Sequence, residues 1–200
     1  GGVVVNQVTR DSEAAVRETT NVEEKLRIGA AAAAFVADGD TVMIDSGTTS
    51  LQVARRLVGN PSLTFVTNGT DVLAALIAGG ATRVHSIGGE FVAINHSLSG
   101  SMAADQVRRF NVDKAILSVT SVDLKRGLIC TLSPQSGCVQ QAMIEVAQTV
   151  IVVADHSKFD RTALSVIAPL DDVDYVVTDA GTRPLIASVG EKLKKKIVFA

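Results

Sequence analysis

Short β-branched runs alternate along this chain with alanine- and leucine-rich stretches of helical period. Residues 1–22 show no clear period and hold several charges. They read as a linker with one short strand at Val3–Val5. A helix is predicted over Val22–Ala37, with Asn21 as its N-cap, Glu23 and Glu24 at the positive end of its dipole, and Asp38-Gly39 as its stop. The alternation then becomes regular: strand Thr41–Asp45, helix Thr48–Leu57, strand Leu63–Thr67, helix Thr70–Ala78, strand Arg83–Ile87. A loop over Glu90–Leu98 leads to a helix at Ser101–Phe110 and a strand at Asp113–Val119. A helix at Pro134–Gln148, with proline in its first turn, precedes a strand at Val150–Ala154. Asp174–Thr178, Arg183–Val189 and Lys196–Phe199 follow as strand, helix and strand. The strand runs are dominated by Val and Ile, as in strands covered on both faces. The class is therefore α/β, a mostly parallel sheet with helices on both faces.

Composition narrows this picture. Two hundred residues make one large domain or two small ones, and 46% apolar content sustains a core. The net charge of −2 argues against a chain whose main task is to hold nucleic acid. The longest apolar run, Ala30–Ala37, is too short for a membrane span, so no membrane partner is expected. The N-terminus has no charged region followed by an apolar stretch, so it does not read as a signal peptide. With no initiator Met, the chain reads as a fragment or a processed product. Cys130 and Cys138 make neither a disulfide framework nor a metal site, and no His/Asp/Glu/Cys cluster has metal spacing. The expectation is a cytoplasmic protein with reduced thiols and no cofactor or metal.

The chemistry gathers where strands end. Thr41–Asp45 runs into Ser46-Gly47-Thr48-Thr49, Leu63–Thr67 into Asn68-Gly69, and Arg83–Ile87 into Gly88-Gly89. Val150–Ala154 runs into Asp155-His156-Ser157-Lys158. Open parallel sheets bind ligands at this edge. A helix start after Gly47 would offer unpaired N–H groups and hydroxyls to a phosphate monoester. Taken alone, the same residues fit a plain capped turn. Lys158 can reach an anion as a mobile point charge, with Asp155 orienting it, or can be a surface lysine in an Asp turn. Thr67-Asn68 and Gly88-Gly89 suit polyol contact or turn chemistry. His96, in the long loop, is a weaker candidate.

The ordered set resembles the C-terminal sensor domain of the DeoR family of transcriptional regulators. It comprises Asp45–Thr49, Val66-Thr67-Asn68, Gly88-Gly89, Gly100 before a helix, Asp113, Gly127-Leu128, Asp155–Phe159 and Val177-Thr178-Asp179. Glu24-Lys25 with Ile28 and Ala31 also fits, and Gly1-Gly2 resembles the family's linker. The resemblance implies a sugar-phosphate isomerase-like fold (ribose-5-phosphate isomerase/CoA transferase-like) and a phosphorylated sugar effector. It implies a phosphate loop on Ser46, Gly47, Thr48 and Thr49, and a site lysine at Lys158. Asp45, Thr67, Asn68, Gly88, Gly89, Asp123 and Asp155 complete the expected effector site. Ser121 stands where many members have glycine. Residues 1–22 become the linker from a DNA-binding domain absent here, and 23–200 the sensor domain. Operator DNA would be read only through that absent domain, and the parent would be a homo-oligomer.

Two other readings compete. A sugar-phosphate isomerase-type enzyme could use Asp45, Asp123 or Asp155 as base and Lys158 as cation. The resembled isomerases carry an acidic cluster in their central loop, whereas Ser118–Asp123 offers one Asp. No catalytic residue is assigned, and the chain is read as not an enzyme. A pure oligomerisation module with a vestigial pocket is the third reading.

Overall fold

The computed structural model describes residues 14–187 and 189–200. Helices α1 (Ala14–Thr19) and α2 (Val22–Ala33) precede β1 (Thr41–Ile44), α3 (Thr48–Leu57), β2 (Thr64–Thr67), α4 (Thr70–Ala78) and β3 (Val84–Ser86). A hairpin of β4 (Glu90–Val92) and β5 (Ser97–Ser99) leads to α5 (Ser101–Val107) and β6 (Val112–Ser118). A second hairpin, β7 (Ser121–Asp123) and β8 (Leu128–Thr131), comes before α6 (Pro134–Val146) and β9 (Ala147–Val153). β10 (Ser165–Pro169), β11 (Tyr175–Thr178), α7 (Arg183–Ile186), α8 (Glu191–Lys194) and β12 (Ile197–Phe199) close the chain.

Seven strands form one sheet in the order β12-β11-β9-β6-β1-β2-β3, every neighbouring pair parallel. Alternation along β1 sends Val42 and Ile44 to one face and Met43 to the other, all three fully buried. On the first face Ile28 of α2, Leu51 and Ala54 of α3 and Leu76 of α4 pack over Ile116 and Val153. On the second, Val107 of α5 with Val139 and Met143 of α6 pack over Leu117 and Val152. Each such side chain removed from water contributes about 1.5–3 kcal/mol, which makes the two-sided sheet the rigid part of the molecule. A separate three-stranded antiparallel sheet, β10-β8-β7, stands beside it.

From β1 the chain runs outward to β2 and β3, and then returns to the other side of β1 through β6. The order thus reverses between β1 and β6. In open α/β sheets that switch point is where the carboxyl ends splay and leave a crevice.

Several expectations need correction. Helix α2 ends at Ala33, not Ala37, because Phe35 and Val36 make tight i→i+3 bonds to Ala32 and Ala33. That turn lays Phe35 against Tyr175, ring centroids 4.4 Å apart. Asn21 does not cap α2 with its side chain. It sits in left-handed backbone at φ 51°, and its Nδ2 donates to Asp155 Oδ1 at 2.9 Å. The unperiodic stretch contains α1, the supposed loop at 90–98 is the β4–β5 hairpin, and β7, β8 and β10 were not foreseen. The strand expected at Val3–Val5 lies outside the described residues.

Candidate functional site

β1 delivers Asp45 to the switch point, and Gly47 turns the chain into α3. Gly47 stands at φ 129°, ψ 154°, a conformation essentially reserved for glycine. A Cβ there would lie 2.7 Å from Ser118 Oγ, so the loop can approach β6 only without a side chain. Ser118 Oγ in turn accepts from the Ser50 amide (3.3 Å) and bonds Ser50 Oγ (2.8 Å). The amides of Thr48 and Thr49 open the helix and have no intrahelical acceptor. Behind the loop, Gly69 presses on Ser46, where a Cβ would come within 2.9 Å of Ser46 Cα.

The opposite wall comes from α6. Ser133 caps it by accepting from the Ser136 amide at 3.2 Å, with Pro134 in the first turn. Ser133, Ser136 and Gln140 recur along the helix as a polar stripe, and all three line the same cavity as the Ser46–Thr49 loop. Gln140 Nε2 donates both to Asp45 Oδ2 (2.8 Å) and to the Ser118 carbonyl (2.7 Å). These two acceptors fix the amide's orientation and leave Gln140 Oε1 buried with no hydrogen-bond donor among the described residues. Burial pushes the Asp45 carboxyl up to about 6, against the opposing pull of hydrogen bonds from Gln140 and the Ser46 amide.

The cavity measures about 640 Å³, within the range of small-molecule sites. Among the described residues its charged lining groups are Arg17, Asp45 and Lys158. Lys158 arrives from a 3₁₀ turn, His156–Lys158, after β9. Asp155 sets that turn by accepting from the Ser157 amide at 2.9 Å. Burial raises the Asp155 pKa, but hydrogen bonds from Ser157 and Asn21 and the Lys158 charge outweigh it and hold the carboxyl below its ordinary value. Arg17, on α1, donates from Nη2 to the Ile94 carbonyl at 2.9 Å. Ile94 and Asn95, at the tip of the β4–β5 hairpin, overhang the cavity.

The structure brings Asp45, Ser46, Gly47, Thr48, Thr49 and Lys158 to one cavity. The other expected residues stand around it. Thr67 Oγ1 donates to the Ile44 carbonyl (2.6 Å) and accepts from the Gly69 amide (3.0 Å), which ties β2 to β1. The Asn68 carbonyl accepts from the Leu98 amide at 2.7 Å and holds the first hairpin. Gly88 and Gly89 lie outside the lining. The Gly88 amide donates to Gln106 Oε1 (3.0 Å), and Gly89 is pressed against Ser99 and Ala103. Asp123 is turned into its own hairpin and accepts from the Arg126 amide at 3.0 Å. His96 pairs with Asp71 at 2.7 Å, outside the main cavity. The sequence reading missed Gln140 and Arg17. The serine–glutamine spacing on α6 could have found Gln140, whereas Arg17 lay in a stretch without period.

Sheet order and switch point place the chain among sugar-phosphate isomerase-like α/β folds. Ribose 5-phosphate isomerase A from Methanocaldococcus jannaschii matches with a TM-score of 0.51 at 16% identity, over 70% of this chain and 55% of that one. eIF2B delta from Chaetomium thermophilum matches at 0.58 and 16% identity, over 80% and 57%. An enzyme and an initiation factor share the scaffold, so the fold leaves function open. Residues 20–180 match the DeoR C terminal sensor domain. The chain is 48% identical over 200 residues to the transcriptional repressor AccR of Agrobacterium fabrum, covering 100% of this chain and 78% of that protein. It is 33% identical over 164 residues to the glycerol-3-phosphate regulon repressor of Escherichia coli K12, covering 82% of this chain and 65% of that one. The chain belongs to the DeoR family of transcriptional regulators. Its matched body is the family's ligand-sensing domain, which is regulatory and not catalytic.

Proposed function

We propose that the cavity binds a phosphorylated sugar or a related phosphorylated metabolite, and that occupancy modulates operator binding by the full-length regulator in the cytoplasm. DNA contact falls to a DNA-binding domain N-terminal to the described residues, and the regulator works as a homo-oligomer. The observation that carries this reading is the convergence of the α3 N-terminus and Lys158 on one cavity. A helix N-terminus favours an anion by about 0.3–1 kcal/mol, and each charge-assisted hydrogen bond adds roughly 1.5–3 kcal/mol. Together these suffice for a dianion in a site whose one carboxylate, Asp45, is held largely by Gln140. The hydroxyl-rich wall of Thr48, Thr120 and Ser133 suits the sugar portion. Asp123 and Asp155, two of the three carboxylates an isomerase could use, are spent on turns, which leaves that alternative only Asp45, itself bonded to Gln140.

The test is a thermal-shift panel of sugar phosphates against the matching free sugars. At a hundredfold excess over Kd a ligand stabilises by about 2.7 kcal/mol, which for a chain of this size is roughly 5–10 °C. Phosphorylated compounds should give such a shift, free sugars none, and Lys158→Ala should abolish it. Failure of every phosphorylated compound at millimolar concentration would end the proposal.

A further inference from the structure

Arg17 lies before the segment that matches the sensor family, which begins at residue 20. Yet it lines the main cavity together with Gly47, Thr48 and Lys158, and it also borders the small recess between Gly47 and His96. Helix α1 is otherwise mostly exposed along its outer side. Three polar links seat it. Arg17 Nη2 donates to Ile94 at the hairpin tip. The buried Lys25 ammonium donates to the carbonyls of Arg17 and Thr20, the latter at 2.7 Å, and so caps the carboxyl end of α1. Asn21, at the left-handed corner between α1 and α2, donates to Asp155, the residue that sets the turn bearing Lys158. The corner of the N-terminal segment and the turn of the site lysine therefore share one carboxylate.

A guanidinium spreads five N–H donors over a planar fork, so a bond to Ile94 and contact with an anion are compatible. We infer that α1 supplies Arg17 as a further cationic arm of the anion site, so that ligand occupancy and docking of α1 stabilise each other. This rests on the phosphate reading of the cavity and extends it. A ligand binding the docked state better shifts α1 toward the seated position by its differential affinity, and the coupling is reciprocal. Because α1 leads back toward residues 1–13, such coupling would carry occupancy into the N-terminal segment.

The test uses the full 200-residue chain and inorganic phosphate at matched ionic strength, read by calorimetric titration and by hydrogen exchange of the amides of residues 15–20. Phosphate should slow exchange in that segment of the wild-type chain. Arg17→Ala should weaken phosphate binding by roughly tenfold to a hundredfold and cancel the exchange effect, and Arg17→Lys should recover part of the affinity. Wild-type exchange over 15–20 that ignores saturating phosphate overturns the inference. So does Arg17→Ala binding as tightly as wild type. If Lys158→Ala still abolishes binding in either case, the cavity reading survives and only the role of α1 falls. If the wild-type chain binds no phosphate at tens of millimolar, both fall. The exchange comparison needs no variant, so a poorly folded Arg17→Ala would not blunt the result.

Discussion

Replacing Gly47 with alanine separates two reasons for a glycine at the head of the loop between β1 and α3. The first is backbone: at φ 129° and ψ 154° an L-residue is strained by about 1–3 kcal/mol. The second is space. The new Cβ would stand 2.7 Å from Ser118 Oγ and 2.8 Å from Ser118 Cβ. Rotating Ser118 moves Oγ but not Cβ, and Oγ is engaged with Ser50 at 2.8 Å. Overpacking of this kind costs about 1–3 kcal/mol. The loss should therefore be about 2–6 kcal/mol, or roughly 4–24 °C in Tm for a chain this long. Urea denaturation of Gly47→Ala, Ser118→Gly and the double variant completes a cycle. Ser118→Gly relieves the steric part alone, so the coupling should be about 1–3 kcal/mol, with the backbone part remaining. A Gly47→Ala loss under about 0.5 kcal/mol, or a cycle with no coupling, would refute the reasoning.

Asp45 should make the fold less stable as pH rises. Its folded pKa is about 6 against an ordinary 3.8, so between those values the native state holds more protons than the unfolded chain. About 3 kcal/mol present below pH ~4 is lost by the time pH passes ~6. Urea midpoints that climb across this window, or that fall equally in Asp45→Asn, would contradict this. Asp155 is shifted the other way, so its contribution appears above its ordinary value and is lost only at more acid pH. Gln140→Leu strands Asp45 Oδ2 and the Ser118 carbonyl, and should destabilise by about 1–3 kcal/mol per acceptor in chemical denaturation. Asn21→Gly loses only the bond to Asp155, whereas Asn21→Ala also strains the left-handed corner. Alanine should thus be the worse by about 1–2 kcal/mol, and equal midpoints would count against the corner's importance.

The parallel sheet was legible because β1 and the apolar part of β9 are buried on both faces, and such strands must read as continuous apolar runs. The place of the loop after β1 on the cavity was legible because it follows a buried strand at the sheet's carboxyl edge, although its residues alone fit a plain capped turn equally well. The hairpins were not. β4, β5 and β7 have three residues each, too few for a period, and their pairing depends on long-range partners such as Leu98 with Asn68. The carboxylates were legible as chemistry but not as geometry. Asp155 has an amide two residues on, and Asp123 one three residues on, and these local bonds turn both from the cavity. Gly88 and Gly89 look like a site from their neighbours in sequence, yet what they touch is α5 and its approach.

The helices that open onto the cavity belong to different layers, α3 over one face of the sheet and α6 over the other. A molecule seated between their first turns would act as a rivet through both layers at the sheet's rim. Sliding one layer past the other would require expelling it. Occupancy should therefore slow the breaking of the fold as well as deepen its free-energy well, and the lifetime of the native state would report how much of that molecule is present.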